Sequence, residues 1–183
     1  MFGAVRVTVA TCSCHFFVAT TSITSKQQQS HSRQCFGVGA TRTIAASATL
    51  LYNTIIHINI NIKNSYNHDL PHISVDPNQI RQVFLNLIIN AGHAMPKGGD
   101  LEISTYRSAD GGYVCAEIKD TGAGIPEENI TRIFDPFFTT KPEGTGLGLA
   151  ISYGIIENNG GRIEVKSTLG EGTIFVVMLR VSN

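Results

Sequence analysis

The 183-residue sequence lacks several features that would assign it to a class at once. It contains no tryptophan and only four cysteines, and the cysteine spacing does not resemble a disulfide framework. No apolar run reaches the roughly 18 residues that a membrane-spanning helix requires, because serine, threonine and histidine interrupt every candidate. We therefore expect a cytoplasmic protein in a reducing compartment, with no membrane span in this chain.

Acidic residues are missing from the first third of the chain. All 14 of them lie at or after Asp69, whereas five of the 14 basic residues precede it. The part from Asp69 onward is therefore mildly acidic and has no basic stripe of the kind that binds a nucleic-acid backbone. This balance argues against nucleic acid as a partner.

Residues 1–50 are rich in serine and threonine and sparsely basic. This composition is typical of an organellar transit peptide and also of a disordered or mistranslated leader, and both alternatives stay open. The segment holds thiols and imidazoles that could form a metal cluster: Cys12, Cys14, His15, His31 and Cys35. Their gaps do not match those of zinc sites, which favours scattered thiols. We predict a leader over 1–50 and a folded domain over 52–183.

Hydrophobic patterning beyond residue 50 predicts helices and strands in mixed order. Isoleucine alternates with polar residues over 55–62, which indicates a half-buried strand. Asp76 can cap a helix that begins at Pro77 and continues to about Met95. The remaining predicted elements are strands over 72–75, 101–106, 113–119, 162–167 and 173–181 and a helix over 146–158. Helices on one face of a mostly antiparallel sheet predict an α+β fold, a two-layer α/β sandwich.

A polar stripe lies beside the apolar face of the first predicted helix. Asn86, Asn90, His93 and Lys97 fall at helical spacing. A buried amide that finds no partner costs about 1 to 3 kcal/mol, so these asparagines should face something polar. An amide oxygen suits Mg²⁺, which usually arrives with nucleotide phosphates. The alternative is that both asparagines bond to backbone at a helix edge.

Two glycine-rich segments follow the later strands. Asp120 precedes Gly122 and Gly124, an arrangement that brings backbone close to a flat ligand, although a plain turn has the same composition. The apolar loop with Phe134, Phe137 and Phe138 leads to Lys141 and then to a helix start over 144–148, where free N–H groups are available for phosphate. A dinucleotide fingerprint would need a third glycine at the position of Leu149 and a strand directly upstream, and both are missing.

These segments occur in one order, as an N box (Asn86 to Ala91), a G1 box (Asp120 to Gly124), an F box (Phe134 to Phe138) and a G2 box (Gly144 to Gly148). In this combination the chain resembles the catalytic, ATP-binding domain of bacterial sensor histidine kinases. The resemblance implies a Bergerat-type ATP-binding fold, ATP and Mg²⁺ as cofactors, and a place in two-component phosphorelay signalling.

The resemblance also implies a set of ATP-binding residues: Asn90, His93, Asp120, Gly122, Gly124, Ile125, Phe138, Lys141, Gly144, Thr145, Gly146, Leu147, Gly148 and Thr173. Asn90 corresponds to the Mg²⁺ ligand and Asp120 to the carboxylate that reads the adenine amino group. Lys141 and residues 144–148 correspond to a mobile lid over the phosphates. His93 stands where many relatives have a lysine or arginine that reaches the terminal phosphate, and an exposed helix histidine is the alternative. Asn86, Asn90 and Lys141 are the expected catalytic residues.

Asn86 stands where the ATP-hydrolysing relatives, gyrases and heat-shock chaperones, have a glutamate base. An amide cannot take a proton from water, so we expect slow hydrolysis and transfer to an external nucleophile. His68 and Asp69 imitate a phosphoacceptor, but Pro71 follows too closely. We therefore expect the acceptor histidine on a dimerisation domain supplied in trans, with a response regulator as a further partner. The alternatives are a regulatory binding module of the same superfamily or a serine kinase of the anti-sigma type, and a truncated nucleotide-binding fragment without kinase output.

Overall fold

The computed structural model describes residues 35–36, 59–142 and 144–182. The described residues form, in chain order, β1 (Cys35–Phe36), β2 (Ile60–Tyr66), β3 (Ile73–Ser74), α1 (Pro77–Ala94), β4 (Gly99–Arg107), β5 (Tyr113–Asp120), α2 (Glu127–Ile130), α3 (Gly148–Asn158), β6 (Arg162–Thr168) and β7 (Gly172–Arg180). The predicted leader lies outside the described residues except for the backbone of β1, as do residues 52–58 of the predicted domain. The metal-cluster candidates of that leader have no described side chains.

Five strands form one mixed sheet in the order β2-β4-β5-β7-β6. Strand β2 is parallel to β4, and the other three pairs are antiparallel. Strands β1 and β3 make a separate antiparallel pair, and a bridge joins Ile73 of β3 to Val181. The sheet is therefore mostly antiparallel, as predicted.

Helix α1 begins where the sequence predicts. Asp76 has extended backbone and accepts a hydrogen bond of 2.8 Å from the Asn78 N–H, and Pro77 occupies the first turn. The apolar positions at helical spacing are all buried: Ile80, Val83, Phe84, Leu87, Ile88 and Ala91. Each large side chain among them contributes about 1.5 to 3 kcal/mol relative to an exposed position. This burial fixes which side of the helix is left for the polar stripe.

Helices α1 and α3 share a core with one face of the sheet. In β5 the core-facing positions alternate, and Val114, Ala116 and Ile118 are almost fully buried in it. Asp120 continues this series at the end of the strand, so its carboxylate is buried by the same period-two rule. The α+β sandwich predicted from the sequence is confirmed. In this fold the Asp120 carboxylate lies on the sheet face that packs against the helices.

The edge strand β2 extends further than its isoleucine pattern predicts. It runs through Lys63 to Tyr66 because it pairs with β4 along its whole length, in parallel register from Ile60–Gly99 to Tyr66–Thr105. Among the described residues it lies at one end of the sheet, and four of its polar residues are exposed: Asn61, Lys63, Asn64 and Ser65. The Asn61 amide donates a 2.7 Å hydrogen bond to Asp100 of β4, and this bond helps to fix the register.

Candidate nucleotide-binding site

The Asp120 carboxylate lies at the end of β5, and Asp120 is only 4% exposed. It accepts a 2.8 Å hydrogen bond from the Gly122 N–H and another from the backbone N–H of Thr173, its register partner in β7. Burial raises the pKa of Asp120, and these two hydrogen bonds only partly oppose the rise. A buried carboxylate held only by backbone donors is a typical binding group.

The glycine turn after Asp120 packs against the end of α1. A methyl group on Gly122 would lie 2.6 Å from Ala94 Cβ and 2.8 Å from Asp120 Oδ1. Gly124 has a φ of +71°, and a side chain there would overlap the Thr168 carbonyl. The Ala123 N–H donates to the Ala94 carbonyl at 3.0 Å. The two glycines predicted to frame a pocket are therefore the positions at which only backbone fits.

Ser167 joins this end of the site to the β6–β7 hairpin, and the sequence did not single it out. Its hydroxyl accepts from the Ile125 N–H at 2.8 Å, donates to the Gly172 carbonyl at 2.9 Å and lies 2.9 Å from Thr173 Oγ1. Ser167 and Thr173 face each other in register. The predicted site residues Ile125 and Thr173 are therefore held together through Ser167.

Three predicted residues meet further along α1. The Lys141 ammonium donates to Asn90 Oδ1 at 3.3 Å and lies 3.4 Å from His93 Nδ1. Partial burial lowers the pKa of Lys141, although its side chain keeps solvent contact. The structure thus brings the lysine of the loop to the polar stripe of the helix.

The donor set around Asn90 fits a magnesium ion that arrives with phosphates. Asn90 Oδ1 faces a cation, the Lys141 ammonium, so this oxygen points to a place where positive charge is already accommodated. Within the described part of the chain, no group of three or more His, Cys, Asp or Glu side chains could hold a metal by itself. Mg²⁺ usually keeps water and phosphate oxygens and takes few protein ligands. A single amide oxygen beside a phosphate site is compatible with this coordination preference.

Asn86 contacts α3 and lies one turn before Asn90. Its amide nitrogen donates to the Gly148 carbonyl at 3.1 Å and to Ser152 Oγ at 3.2 Å. Ser152 is fully buried, and the sequence reasoning did not single it out. A serine at the fourth residue after Gly148, on an otherwise apolar helix face, was the signal available.

The phenylalanine loop packs mainly on the rest of the domain. The Phe134 ring lies 5.2 Å from the ring of Tyr153 in α3, and the Arg132 guanidinium stands 4.6 Å over the Phe138 ring. Phe137 is 74% exposed and has a φ of 67°, which is rare for a bulky residue. Its N–H donates to the Gly146 carbonyl at 3.0 Å. This contact ties the loop to the segment before α3.

The predicted lid segment contains local hydrogen bonds on both sides of residue 143. The Gly144 N–H donates to the Lys141 carbonyl at 3.1 Å, and Thr145 Oγ1 accepts from the Leu147 N–H at 3.5 Å. Gly146 is left-handed, with a φ of 67°. Helix α3 begins at Gly148, so the first-turn N–H groups of this helix have no intrahelical acceptors. Such groups suit an anion.

The fold and this arrangement along α1 define an ATP-binding α/β sandwich. Residues 75–183 match the HATPase_c family model, described as "Histidine kinase-, DNA gyrase B-, and HSP90-like ATPase". The match covers more than half of the chain, and the chain belongs to this family. Within the described residues, no helix is both long and apolar enough to cross a membrane.

Relatives and solved structures place the domain within the family. Sporulation kinase E of Bacillus subtilis (strain 168) is 45% identical over 113 residues, which cover 62% of this chain and 15% of that protein. Sensor histidine kinase ZraS of Escherichia coli (strain K12) is 41% identical over 123 residues, 67% of this chain and 26% of that protein. The chain therefore spans about a quarter or less of these relatives.

Among solved structures, the nucleotide-free catalytic domain of histidine kinase ThkA matches with a TM-score of 0.71 and 29% identity, covering 82% of this chain and 99% of that chain. Full-length ShkA in complex with AMPPNP matches with a TM-score of 0.72 and 28% identity, covering 82% of this chain and 32% of that chain. ThkA in complex with the response regulator TrrA matches with a TM-score of 0.67 and 29% identity, covering 81% of this chain and 42% of that chain. These matches confirm the predicted family, the sandwich fold and an ATP-binding catalytic domain of the histidine kinase type.

Proposed function

We propose that this domain binds Mg·ATP along α1 and donates the γ-phosphoryl group to a histidine on a separate dimerisation domain. The observation that carries the proposal is that one helix contacts both ends of the site. Ala94 packs on the Gly122 turn beside Asp120, and Asn90, one turn earlier, meets Lys141. Base-reading and phosphate-binding groups are thus held at a fixed separation along α1.

Each predicted residue has a role that matches its position. Asp120 accepts a hydrogen bond from the adenine amino group, while Gly122, Gly124, Ile125 and Thr173 shape the pocket around it. Toward the phosphates, the predicted contacts are Asn90, His93, Phe138, Lys141, Gly144, Thr145, Gly146, Leu147 and Gly148. Asn90 is the protein ligand for Mg²⁺, and the Mg²⁺ ion neutralises charge on the phosphate oxygens when it is bound.

The transfer breaks the bond between the γ-phosphorus and the β–γ bridging oxygen and forms a bond between that phosphorus and an acceptor imidazole nitrogen. ADP leaves with the bridging oxygen, and the imidazole proton passes to solvent. Asn86 cannot act as a base, so catalysis arises from positioning and charge neutralisation. The same absence of a base at this position leaves ATP hydrolysis slow.

The names of the relatives support the phosphorelay part of the proposal. Several curated relatives are sensor or sporulation kinases, ShkA was solved with AMPPNP, and ThkA was solved with a response regulator. On this basis we propose two partners for this domain: an acceptor domain that bears the histidine, and the receiver domain of a response regulator. This chain spans only a fraction of those relatives, and we propose that the acceptor histidine lies on a separate domain.

The test is transfer of radiolabel from γ-labelled ATP to an added dimerisation domain of a sensor kinase. We expect acid-labile, base-stable label on the acceptor, and none on an acceptor whose histidine is replaced by glutamine. Asn90→Ala and Asp120→Ala should both abolish the signal. Acid-stable label on a serine would favour the anti-sigma alternative, and nucleotide binding without any transfer would favour a binding domain without kinase output.

A further inference from the structure

A closed triangle of hydrogen bonds joins α1 to the first turn of α3. Asn86 Nδ2 donates to the Gly148 carbonyl at 3.1 Å and to Ser152 Oγ at 3.2 Å, and Ser152 Oγ donates to the same carbonyl at 2.9 Å. Ser152 is fully buried, and Asn86 is partly buried. No buried side-chain nitrogen or oxygen among the described residues lacks a partner, and Ser152 Oγ has its acceptor and its donor within the triangle.

The chemistry of the acceptor fixes the direction of every bond. A carbonyl oxygen can only accept, so the NH₂ group of Asn86, rather than its oxygen, must face Gly148. The same NH₂ group donates to both acceptors, the Gly148 carbonyl and Ser152 Oγ. The Ser152 hydroxyl accepts from Asn86 and donates to the Gly148 carbonyl. No partner can be reversed without placing two acceptors against each other.

The triangle links the two groups proposed to bind Mg·triphosphate, which are the N–H groups at the start of α3 and the side chain of Asn90. Gly148 is the first residue of α3, whose first-turn N–H groups are suited to phosphate. Asn86 lies four residues, about 6 Å along the helix axis, before Asn90. A shift of α3 along α1 would therefore separate the phosphate donors from the metal ligand.

We propose that Ser152 acts with Asn86 as a positioning residue for the triphosphate. The pair holds the start of α3 at one height on α1, so that its N–H groups and Asn90 Oδ1 engage the same Mg·ATP molecule. This inference rests on the proposed function and adds Ser152 to its machinery. The adenine end of the site, around Asp120, does not depend on the triangle.

A purely structural role of Ser152 would lead to a different experimental result. Serine often bonds back to the carbonyl four residues earlier in a helix, and such a bond alone has no consequence for ligands. Loss of the hydroxyl would then lower the melting temperature and leave the affinities of adenosine and Mg·ATP unchanged or equally reduced. A positioning role reduces only the affinity that depends on phosphate.

The experiment compares Ser152→Ala, Asn86→Asp and the wild type by calorimetry with adenosine and with Mg·AMPPNP. Asn86→Asp keeps the shape of the side chain but turns an acceptor toward the Gly148 carbonyl. We expect each variant to weaken Mg·AMPPNP about tenfold, the equivalent of one hydrogen bond, with adenosine affinity unchanged. Gly154→Ala, in the same helix and with no atom within 4 Å of the added methyl, is the matched control and should change neither affinity.

Asn86→Ala provides a second route if the buried Ser152 site does not tolerate substitution, because Asn86 is only partly buried. Asn86→Ala should on its own weaken Mg·AMPPNP and leave adenosine affinity unchanged. Where Ser152→Ala also folds, the double variant Asn86→Ala/Ser152→Ala should lose less Mg·AMPPNP affinity than the two single losses multiplied together, as for residues that act as a unit. Equal weakening of both ligands, or unchanged Mg·AMPPNP affinity in folded variants, would overturn the positioning role alone. A wild-type protein that binds neither ligand would overturn the proposed function as well.

Discussion

The buried charge of Asp120 lowers the unfolding free energy of the nucleotide-free protein. Its folded-state pKa is raised from the ordinary 3.8 by burial, so the folded state binds a proton more tightly than the unfolded state. Protonation of Asp120 therefore contributes to the unfolding free energy. This contribution is fully present below pH 3.8 and is lost as the pH rises through the raised pKa. At neutral pH the ionised carboxylate therefore opposes folding, which fits a group retained for binding.

We predict that Asp120→Asn gains stability relative to the wild type as the pH rises. The amide keeps one oxygen, which can accept from the Gly122 N–H, and it carries no charge to bury. Urea unfolding at a series of pH values should show the difference in unfolding free energy growing from pH 3.8 through the raised pKa and then levelling off. The same variant should lose adenosine binding in calorimetry. A difference independent of pH would contradict the burial argument.

Gly122 and Gly154 offer a matched pair of alanine substitutions. Gly122→Ala places a methyl 2.6 Å from Ala94 Cβ and should lower the unfolding free energy by about 1 to 3 kcal/mol. Gly154→Ala in α3 meets no atom within 4 Å and should raise it by about 0.5 to 1 kcal/mol through helix propensity. Thermal unfolding of both variants checks the opposite signs. Equal shifts would contradict the tight contact between the turn and α1.

Single residues could be predicted where their chemistry conflicts with their surroundings. Asn90 stands out because a polar group interrupts the apolar pattern of a helix, and Asp120 because a carboxylate precedes two glycines after a strand. Ser152 and Ser167 do not stand out, because serine is ordinary in helices and strands. Their importance depends on bonds to Asn86 and Thr173, which only the packing of α3 and the register of β6 with β7 create.

Helix α1 carries the polar stripe, so its stability bears on the site. Asp76→Ala removes the 2.8 Å cap to the Asn78 N–H and should lower the unfolding free energy by about 1 kcal/mol. Asp76→Asn retains a capping oxygen and should lower it much less. Urea denaturation measures both. Because the cap lies at the far end of α1 from Asn90, the affinity for Mg·ATP should stay unchanged in the folded protein, and a large loss would contradict this separation.

Helix α3 shows why an element boundary was missed. The sequence predicts a start at Gly146, whereas the helix begins at Gly148. Gly146 is left-handed, with a φ of 67°, and a side chain there would overlap the Phe137 backbone, while the Phe137 N–H donates to the Gly146 carbonyl. The constraint comes from a loop nine residues upstream in sequence. Helical periodicity carries no information about such a contact.

The architecture of the whole domain was predictable to the level of its layers. The β4–β5 and β6–β7 pairs are local hairpins, so their strand patterns and turns indicated the pairing. The central β5–β7 pair and the parallel β2–β4 edge join segments that are distant in sequence. Periodicity specifies which side of a strand is buried and leaves open which strand lies beside it. The four boxes supplied that arrangement only through resemblance to a family.

Ligand binding should stabilise the whole molecule by mass action. At a Mg·ATP concentration of 100 times the dissociation constant, the unfolding free energy should rise by about 2.7 kcal/mol. Asp120→Ala should show no such rise, and Gly154→Ala should show the full rise. Thermal unfolding with and without Mg·ATP measures the effect. An equal increase in Asp120→Ala would place the nucleotide somewhere other than the proposed pocket.

The contact between Lys141 and Asn90 also bears on metal binding without nucleotide. We predict that Lys141→Met increases the affinity of the nucleotide-free domain for Mg²⁺, because the ammonium that occupies Asn90 Oδ1 is removed. Isothermal titration with MgCl₂ measures the change, and Lys97→Met serves as a control with the same loss of charge. Unchanged Mg²⁺ affinity would mean that the Lys141 ammonium does not compete measurably with Mg²⁺ for Asn90 Oδ1.

With Asn90 as the proposed Mg²⁺ ligand, the Lys141 ammonium is a built-in competitor for that oxygen. We expect free Mg²⁺ to compete poorly with this tethered ammonium, whereas a bound triphosphate gives the ammonium another partner and brings Mg²⁺ with it. Metal and nucleotide should then bind together, and a change in the concentration of free Mg²⁺ alone should leave the nucleotide-free site without metal.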